Sequence, residues 1–355
     1  MSEGSDRTEV GRKAAGRKAV GRKAVGRKVL APVLGVGLLV AGLHLRLNTN
    51  VLGEDEVCGG LVPTEAAAAV FPSSGRVSDG KGLDDRPGDR LAFSCTVESS
   101  SFLPGSDTGH IRVTGTRERG DFPFTDDGRW PNPATVSYFA GDSTGGVGAD
   151  HGWVLLPAAC TTADGGPAVI EGWAPEGSDP VKLAGLLTDV ANAAAERAGC
   201  AAGEPLVAPR TLAAAPAPRQ PRDGAVCGLA GMTFPGPREG IGAEETVRDA
   251  PGPTWACHVA GYATYAVTQE PRVVEGIRSS PGYEAQPAAA GHAMSGFDPY
   301  QAVTDCAGTP TYFSMETGPK YHDATGTPGT PRLRPLFDSF VAAAGDRFGC
   351  SAPTS

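Results

Sequence analysis

The chain states one passage twice. Leu186–Cys200 reads LLTDVANAAAERAGC and Leu336–Cys350 reads LFDSFVAAAGDRFGC, at a constant offset of 150 positions. Each holds a pair of large apolar residues, further apolar residues at helical spacing, an acid, an arginine, a glycine and a final cysteine. That is the pattern of an amphipathic helix closing a domain and pinned by its last residue. The eight cysteines follow the same duplication: Cys58, Cys95, Cys160 and Cys200, then Cys227, Cys257, Cys306 and Cys350. Their surroundings match, with VCGGL at Val57 answering VCGLA at Val226, and Phe93-Ser94-Cys95 answering Trp255-Ala256-Cys257. A sequence built this way is constrained to two tandem copies of one four-cysteine domain.

Closely spaced C-x-x-C or Cys/His pairs, which zinc would need, do not occur, so the even cysteine count points to disulfides and an oxidising compartment. Four cysteines allow three pairings per copy, and spacing alone does not choose among them. Our expectation is first with second and third with fourth (Cys58 to Cys95, Cys160 to Cys200, Cys227 to Cys257, Cys306 to Cys350), because each pairing ties a terminal helix to a strand. Each bridge would contribute ~3–4 kcal/mol in the chain-entropy account.

Ahead of the copies lies a different kind of chain. Residues 1–28 carry nine Arg or Lys against three acids, including the five-residue repeat GRKAAGRKAVGRKAVGRK. This tail is too polar to pack and is expected to be disordered in the cytoplasm, against anionic lipid headgroups. With the tail at +6 and the chain at −9, the rest carries −15, which excludes the outer domains as nucleic-acid binders. Residues 29–46 contain VLAPVLGVGLLVAGLHL, read as an uncleaved transmembrane anchor, since no good cleavage site follows the apolar core and no cysteine stands ready for lipid attachment. Basic residues before it and Glu54, Asp55 and Glu56 after it place the N-terminus in the cytoplasm and the bulk outside the cell membrane.

The expected fold class is α+β, with two tandem disulfide-bonded domains after the transmembrane helix, each a small, mostly antiparallel sheet packed by a C-terminal helix. The domains run over 50–204 and 223–355, joined by an Ala/Pro linker over 205–222 that reads as a semi-rigid polyproline II spacer between separate beads. In the first copy Thr64–Val70 reads as a short helix. Strands are predicted at 91–97, 110–116, 135–139, 153–156 and 168–173. The closing helix should start at Asp179-Pro180 and stop at Gly199, burying Leu183, Leu186, Leu187, Val190 and Ala194. In the second copy Pro335 argues for a closing helix that begins near that proline, and 263–268, 273–277 and 311–315 read as strands.

CGGLVPTEAAAAVFP, followed by an aromatic-x-Cys strand and ending in GSDPVKLAGLLTDVANAAAERAGC, resembles a group of actinobacterial extracytoplasmic domains of unknown function, often lipoproteins. The likeness covers the edges of each copy. It implies an extracytoplasmic location and a Cys-helix-strand start with a helix after Asp-Pro. It supplies no functional residue. The group often has a lipid-modified cysteine and a single domain, whereas this chain has an apolar segment and two.

Chemistry is sparse. GDSTGG at Gly141–Gly146 echoes the nucleophile string of trypsin-like proteases, but Thr144 stands where the oxyanion glycine should follow Ser143, and no matching upstream histidine exists. His151 with Asp150 and Asp142 is a conceivable polar or metal cluster. Asp84, Asp85 and Asp89, with Arg86 and Arg90, form a mixed-sign loop without the ordered spacing of a calcium site. His110, His258, His292 and His322 have no partner at useful spacing, and Trp130, Trp153, Trp173 and Trp255 read as core. No catalytic residue, metal or cofactor is assigned. The expected function is a membrane-anchored envelope protein with two binding or interaction domains for a small molecule, glycan or protein. An extracytoplasmic hydrolase is the alternative. Function is expected in the unmatched middles, Ser99–Gly152 and Tyr262–Pro299.

Overall fold

A computed structural model describes residues 26–51, 53–101, 108–125, 132–161, 166–222, 225–232, 243–324 and 332–350. The basic tail up to residue 25, and Trp130, lie outside the described residues. The chain divides into two compact units, 1–44 and 45–355. Helix α1 (Gly26–Asn48) runs through the expected anchor, starting inside the stretch assigned to the tail. Among the described residues no helix is long and apolar enough to cross a membrane. Val36, Leu38, Leu39, Val40 and Leu43 are all exposed.

The first copy runs β1 (Glu56–Val57), β2 (Val62–Pro63), α2 (Thr64–Val70), β3 (Arg76–Arg86), β4 (Asp89–Ser100), β5 (Gly109–Arg117), β6 (Ser137–Phe139), β7 (Gly145–Val147), β8 (His151–Leu155), β9 (Ala168–Trp173) and α3 (Pro180–Ala198). The second runs β10 (Ala225–Val226), β11 (Leu229–Ala230), β12 (Glu245–Arg248), β13 (Thr254–Val259), β14 (Ala263–Thr268), α4 (Pro271–Ser279), β15 (Glu284–Ala289), β16 (His292–Asp298), β17 (Gln301–Cys306), β18 (Thr309–Thr317), α5 (Pro319–Ala324) and α6 (Leu333–Gly345). The large sheets are ordered β3-β4-β5-β9-β8-β7-β6 and β12-β13-β14-β18-β17-β16-β15, antiparallel throughout. Strand for strand this is one topology written twice, so the α+β tandem layout holds.

The disulfides join Cys58 to Cys95, Cys160 to Cys200, Cys227 to Cys257 and Cys306 to Cys350, the expected pairing. In each copy the first bridge fastens a tight turn to the second strand of the sheet, and the second holds the end of the closing helix. Asp179 accepts the Val181 amide at the start of α3, and Gly199 ends it in the left-handed conformation (φ 73°) that a Cβ would strain. Leu183, Leu186, Leu187, Val190 and Ala194 are fully buried against the sheet. A Cβ on Gly172 would lie 2.5 Å from Leu187 Cδ2, and one on Gly152 would lie 3.0 Å from its Cδ1. These paired glycines of β8 and β9 are therefore the hole into which Leu187 fits.

Two expectations are corrected and one is met. Residues 273–277 are helical, not extended: Glu270 caps α4, Pro271 occupies its first position, and Val273, Val274 and Ile277 share its buried face. Helix α6 begins at Leu333, near Pro335 as expected, and the proline sits in the first turn where its missing N–H has no intrahelical acceptor to lose. The copies are not separate beads. Alternation along each strand sends Val154, Leu156 and Ile170 toward α3 while Trp153, Leu155 and Val169 face the other way. In the second sheet Tyr265, Val267 and Phe313 face α6, whereas Ala256, Ala266, Val303 and Tyr312 face the first copy. Phe122, Phe124 and Ala134 from the first middle segment, and Val273, Val274 and Ile277 of α4 from the second, complete this shared core.

The linker is bound rather than free. Asn192 exchanges two hydrogen bonds with Leu206, Ser143 Oγ donates to the Val207 carbonyl (2.7 Å), and Ser137 Oγ donates to that of Ala213. Arg219 then pairs with Glu245 through both backbone groups, extending the sheet edge at β12. An alternating Ala/Pro chain has no partners of its own in sequence, so only the assembled surface reveals where its carbonyls go.

Candidate functional site

The cores leave a cavity of about 270 Å³ between the two copies. Its walls are Phe124, Tyr138, Phe139 and Trp153 of the first copy and Pro251, Pro253 and Val273 of the second. Two charged side chains, Arg248 and Glu270, also line it. Trp153 is fixed by edge-to-face contact with Phe122 (5.1 Å between centroids), and Phe124 packs between Tyr138 and Tyr312. The aromatic walls are thus extensions of the shared core.

Arg248 ends β12 and is 4% exposed. Its Nη1 donates to the Ala214 carbonyl (3.0 Å) and its Nη2 to that of Thr135 (3.3 Å), while Nε is buried without an acceptor. The acceptors of its hydrogen bonds are carbonyls and the Ser137 hydroxyl rather than a carboxylate, and burial lowers its pKa. One role is therefore structural: the guanidinium clamps the linker and the Asn132–Ser137 turn. Glu270 is 7% exposed and serves as the cap of α4, its Oε1 accepting from the Arg272 amide (3.3 Å) and from Thr144 Oγ1 (3.2 Å). The neighbouring Arg272 guanidinium donates instead to the Leu156 carbonyl (2.6 Å). Burial also raises the Tyr138 phenol, whose Oη donates to the Pro133 carbonyl (3.1 Å).

The residues singled out in the sequence lie elsewhere or act structurally. Ser143 is buried, with its hydroxyl spent on the Val207 carbonyl, so no nucleophile and base meet there. His151 pairs with neither Asp142 nor Asp150. Its Nε2 lies 3.0 Å from Glu171 Oε1, both side chains being buried, and its ring packs on Trp173. Glu171 interrupts an otherwise apolar strand, AVIEGW, and that interruption was the available signal. From the β3–β4 hairpin, Asp85 pairs with Arg197 of α3 (2.8 Å) and Asp89 with Arg117 of β5 (2.9 Å), which uses the acids as ion pairs. His110 and His322 are exposed, His258 bonds Thr264 (3.0 Å), and none of these histidines lines the cavity. Trp255 is core, and Trp153 is both core and wall.

Two clusters have the composition of metal sites: Cys58, Asp79 and Cys95, and Cys227, Glu245 and Cys257. Their sulfurs are bonded to each other and so are not thiolate ligands. The acids have another task. Cys58 and Cys227 sit at φ 57° and 60°, turning their amides inward, and Asp79 and Glu245 accept those amides at 2.8 and 2.6 Å. The repeat conserves a carboxylate under a left-handed cysteine, a device that no spacing in the sequence reveals.

A second polar pair, with a buried carboxylate and an exposed guanidinium, links the copies. Arg119 forks onto Asp121 (2.7 and 2.8 Å) and lies over the Phe297 ring at 4.2 Å. Burial raises the Asp121 carboxyl above the usual range against the opposing pull of Arg119. Family models, characterised proteins and solved structures yield no match to this chain.

Proposed function

We propose that the chain is a membrane-anchored, non-catalytic envelope protein whose two extracytoplasmic copies form one ligand-binding body. The carrying observation is the cavity closed by both copies, with aromatic walls and two buried charged side chains, Arg248 and Glu270, that do not pair with each other. Pockets of this kind, apolar with a few fixed polar groups, are where small molecules bind. Four disulfides favour an oxidising location, in keeping with the resemblance to actinobacterial extracytoplasmic domains.

The anchoring part of the reading rests on residues 29–46. The apolar run of the sequence carries this part of the reading, and the described apolar side chains of the helix through it are exposed. The basic tail would then lie on anionic lipid at the cytoplasmic face. Full-length protein in bacterial membranes tests this. Protease added outside intact cells should degrade the disulfide-bonded body and leave a small membrane-bound N-terminal fragment. A fully protected body would overturn the location, and turnover of an ester or peptide panel by the purified chain would favour the hydrolase alternative.

A further inference from the structure

We infer that the inter-copy cavity takes a small zwitterion with an apolar body, of the amino-acid class, its carboxylate at Arg248 and its ammonium at Glu270. This rests on reading the body as a binding module. Arg248 and Glu270 line one cavity, both more than nine-tenths buried, yet they do not meet: no ion pair joins them within 4 Å. Each hydrogen-bonds neutral groups, although Glu270 also feels the charge of the neighbouring Arg272. The linker carbonyl of Ala214 and the carbonyl of Thr135 hold the guanidinium, and the first turn of α4 with Thr144 holds the carboxylate.

Arg248, buried with one guanidinium N–H unmatched, is costly without a compensating anion, and Glu270 across the cavity is offset only by Arg272 outside the lining. A molecule carrying both charges compensates both. A dianion would be repelled by Glu270 and a simple cation by Arg248, while a neutral apolar molecule would leave both charges unmatched. Phe124, Tyr138, Trp153 and Val273 supply walls for an apolar or aromatic side chain. A volume of about 270 Å³ limits the guest to a single small molecule.

The test titrates full-length protein in detergent micelles with L-phenylalanine, 3-phenylpropionate and phenethylamine, read by tryptophan fluorescence and calorimetry. Phenylalanine should bind at least tenfold more tightly than either analogue. Arg248→Met should erase its advantage over phenethylamine, and Glu270→Gln, which keeps a capping oxygen, should erase its advantage over phenylpropionate. A folding defect would weaken all three ligands together, so these selective losses separate recognition from structure. Should Arg248→Met not fold, Glu270→Gln carries the test alone. Equal binding of phenylpropionate and phenylalanine, or binding of none, overturns the inference. If none binds while a molecule of another class co-purifies, the binding reading survives and only the ligand class falls, whereas substrate turnover sinks both.

Discussion

Replacing Glu245 by alanine should cost about 3 kcal/mol of stability, whereas Asp79→Ala, at the matching place in the first copy, should cost about 1 kcal/mol. Both carboxylates accept the amide of a left-handed cysteine, at 2.6 and 2.8 Å. Their surroundings differ. Glu245 is fully buried and also receives Arg219 Nε at 3.0 Å, so its loss leaves the Cys227 amide without an acceptor in a dry site. Asp79 is exposed on an edge strand, and water can enter where its side chain stood. An orphaned buried donor costs roughly 1–3 kcal/mol, and a bond to a charged acceptor adds a further 1–2 kcal/mol, whereas a solvated site recovers most of both. Glu245→Gln retains one acceptor oxygen and should recover about half the loss. The assay is urea unfolding of the oxidised full-length chain in micelles, comparing midpoints at constant slope. Equal losses at the two sites, or a larger one at Asp79, would refute the argument that burial sets the strength of this bond.

Gly172→Ala should destabilise by ~1–3 kcal/mol by driving a Cβ into Leu187, and the double variant with Leu187→Ala should lose less than the sum of the singles. Gly120→Ala would set a methyl against the backbone of Gly276 across the two copies, so it should loosen the shared core and shift the emission of Trp153. Asp121 has a folded-state pKa raised by burial, so its stabilising contribution is complete below the unfolded value of ~3.9 and is lost as pH rises through the folded value. Asp121→Asn should therefore flatten the pH dependence of stability in that window. Non-reducing peptide mapping should recover the four pairs of the fold, and free thiols at any of these cysteines would contradict it.

What the sequence exposed and what it hid follow from where each signal is written. The closing helix α3 was legible to its ends because its cap, its first proline, its apolar face and its terminal glycine are all local. The same acid-proline start at Glu270-Pro271 marks α4, but Val273-Val274 invited a strand assignment and masked it. Strand β3, RVSDGKGLDDR, shows almost no apolar alternation, being an edge strand whose register comes from β4. The cavity was hidden for a different reason. Arg248 and Glu270 are unremarkable in sequence, and only docking of the copies brings them to the same cavity as Phe124 and Trp153. The unmatched middles contribute Phe124, Tyr138, Thr144, Glu270 and Val273 to the lining, whereas Arg248 and Trp153 lie outside them.

Native mass spectrometry of the full-length chain, released from the membranes in which it is made, tests the central claim most directly. A cavity shared by both copies predicts one small molecule per chain, lost together with the docking of the copies in Gly120→Ala. Two molecules per chain, one held by each copy independently, would contradict it.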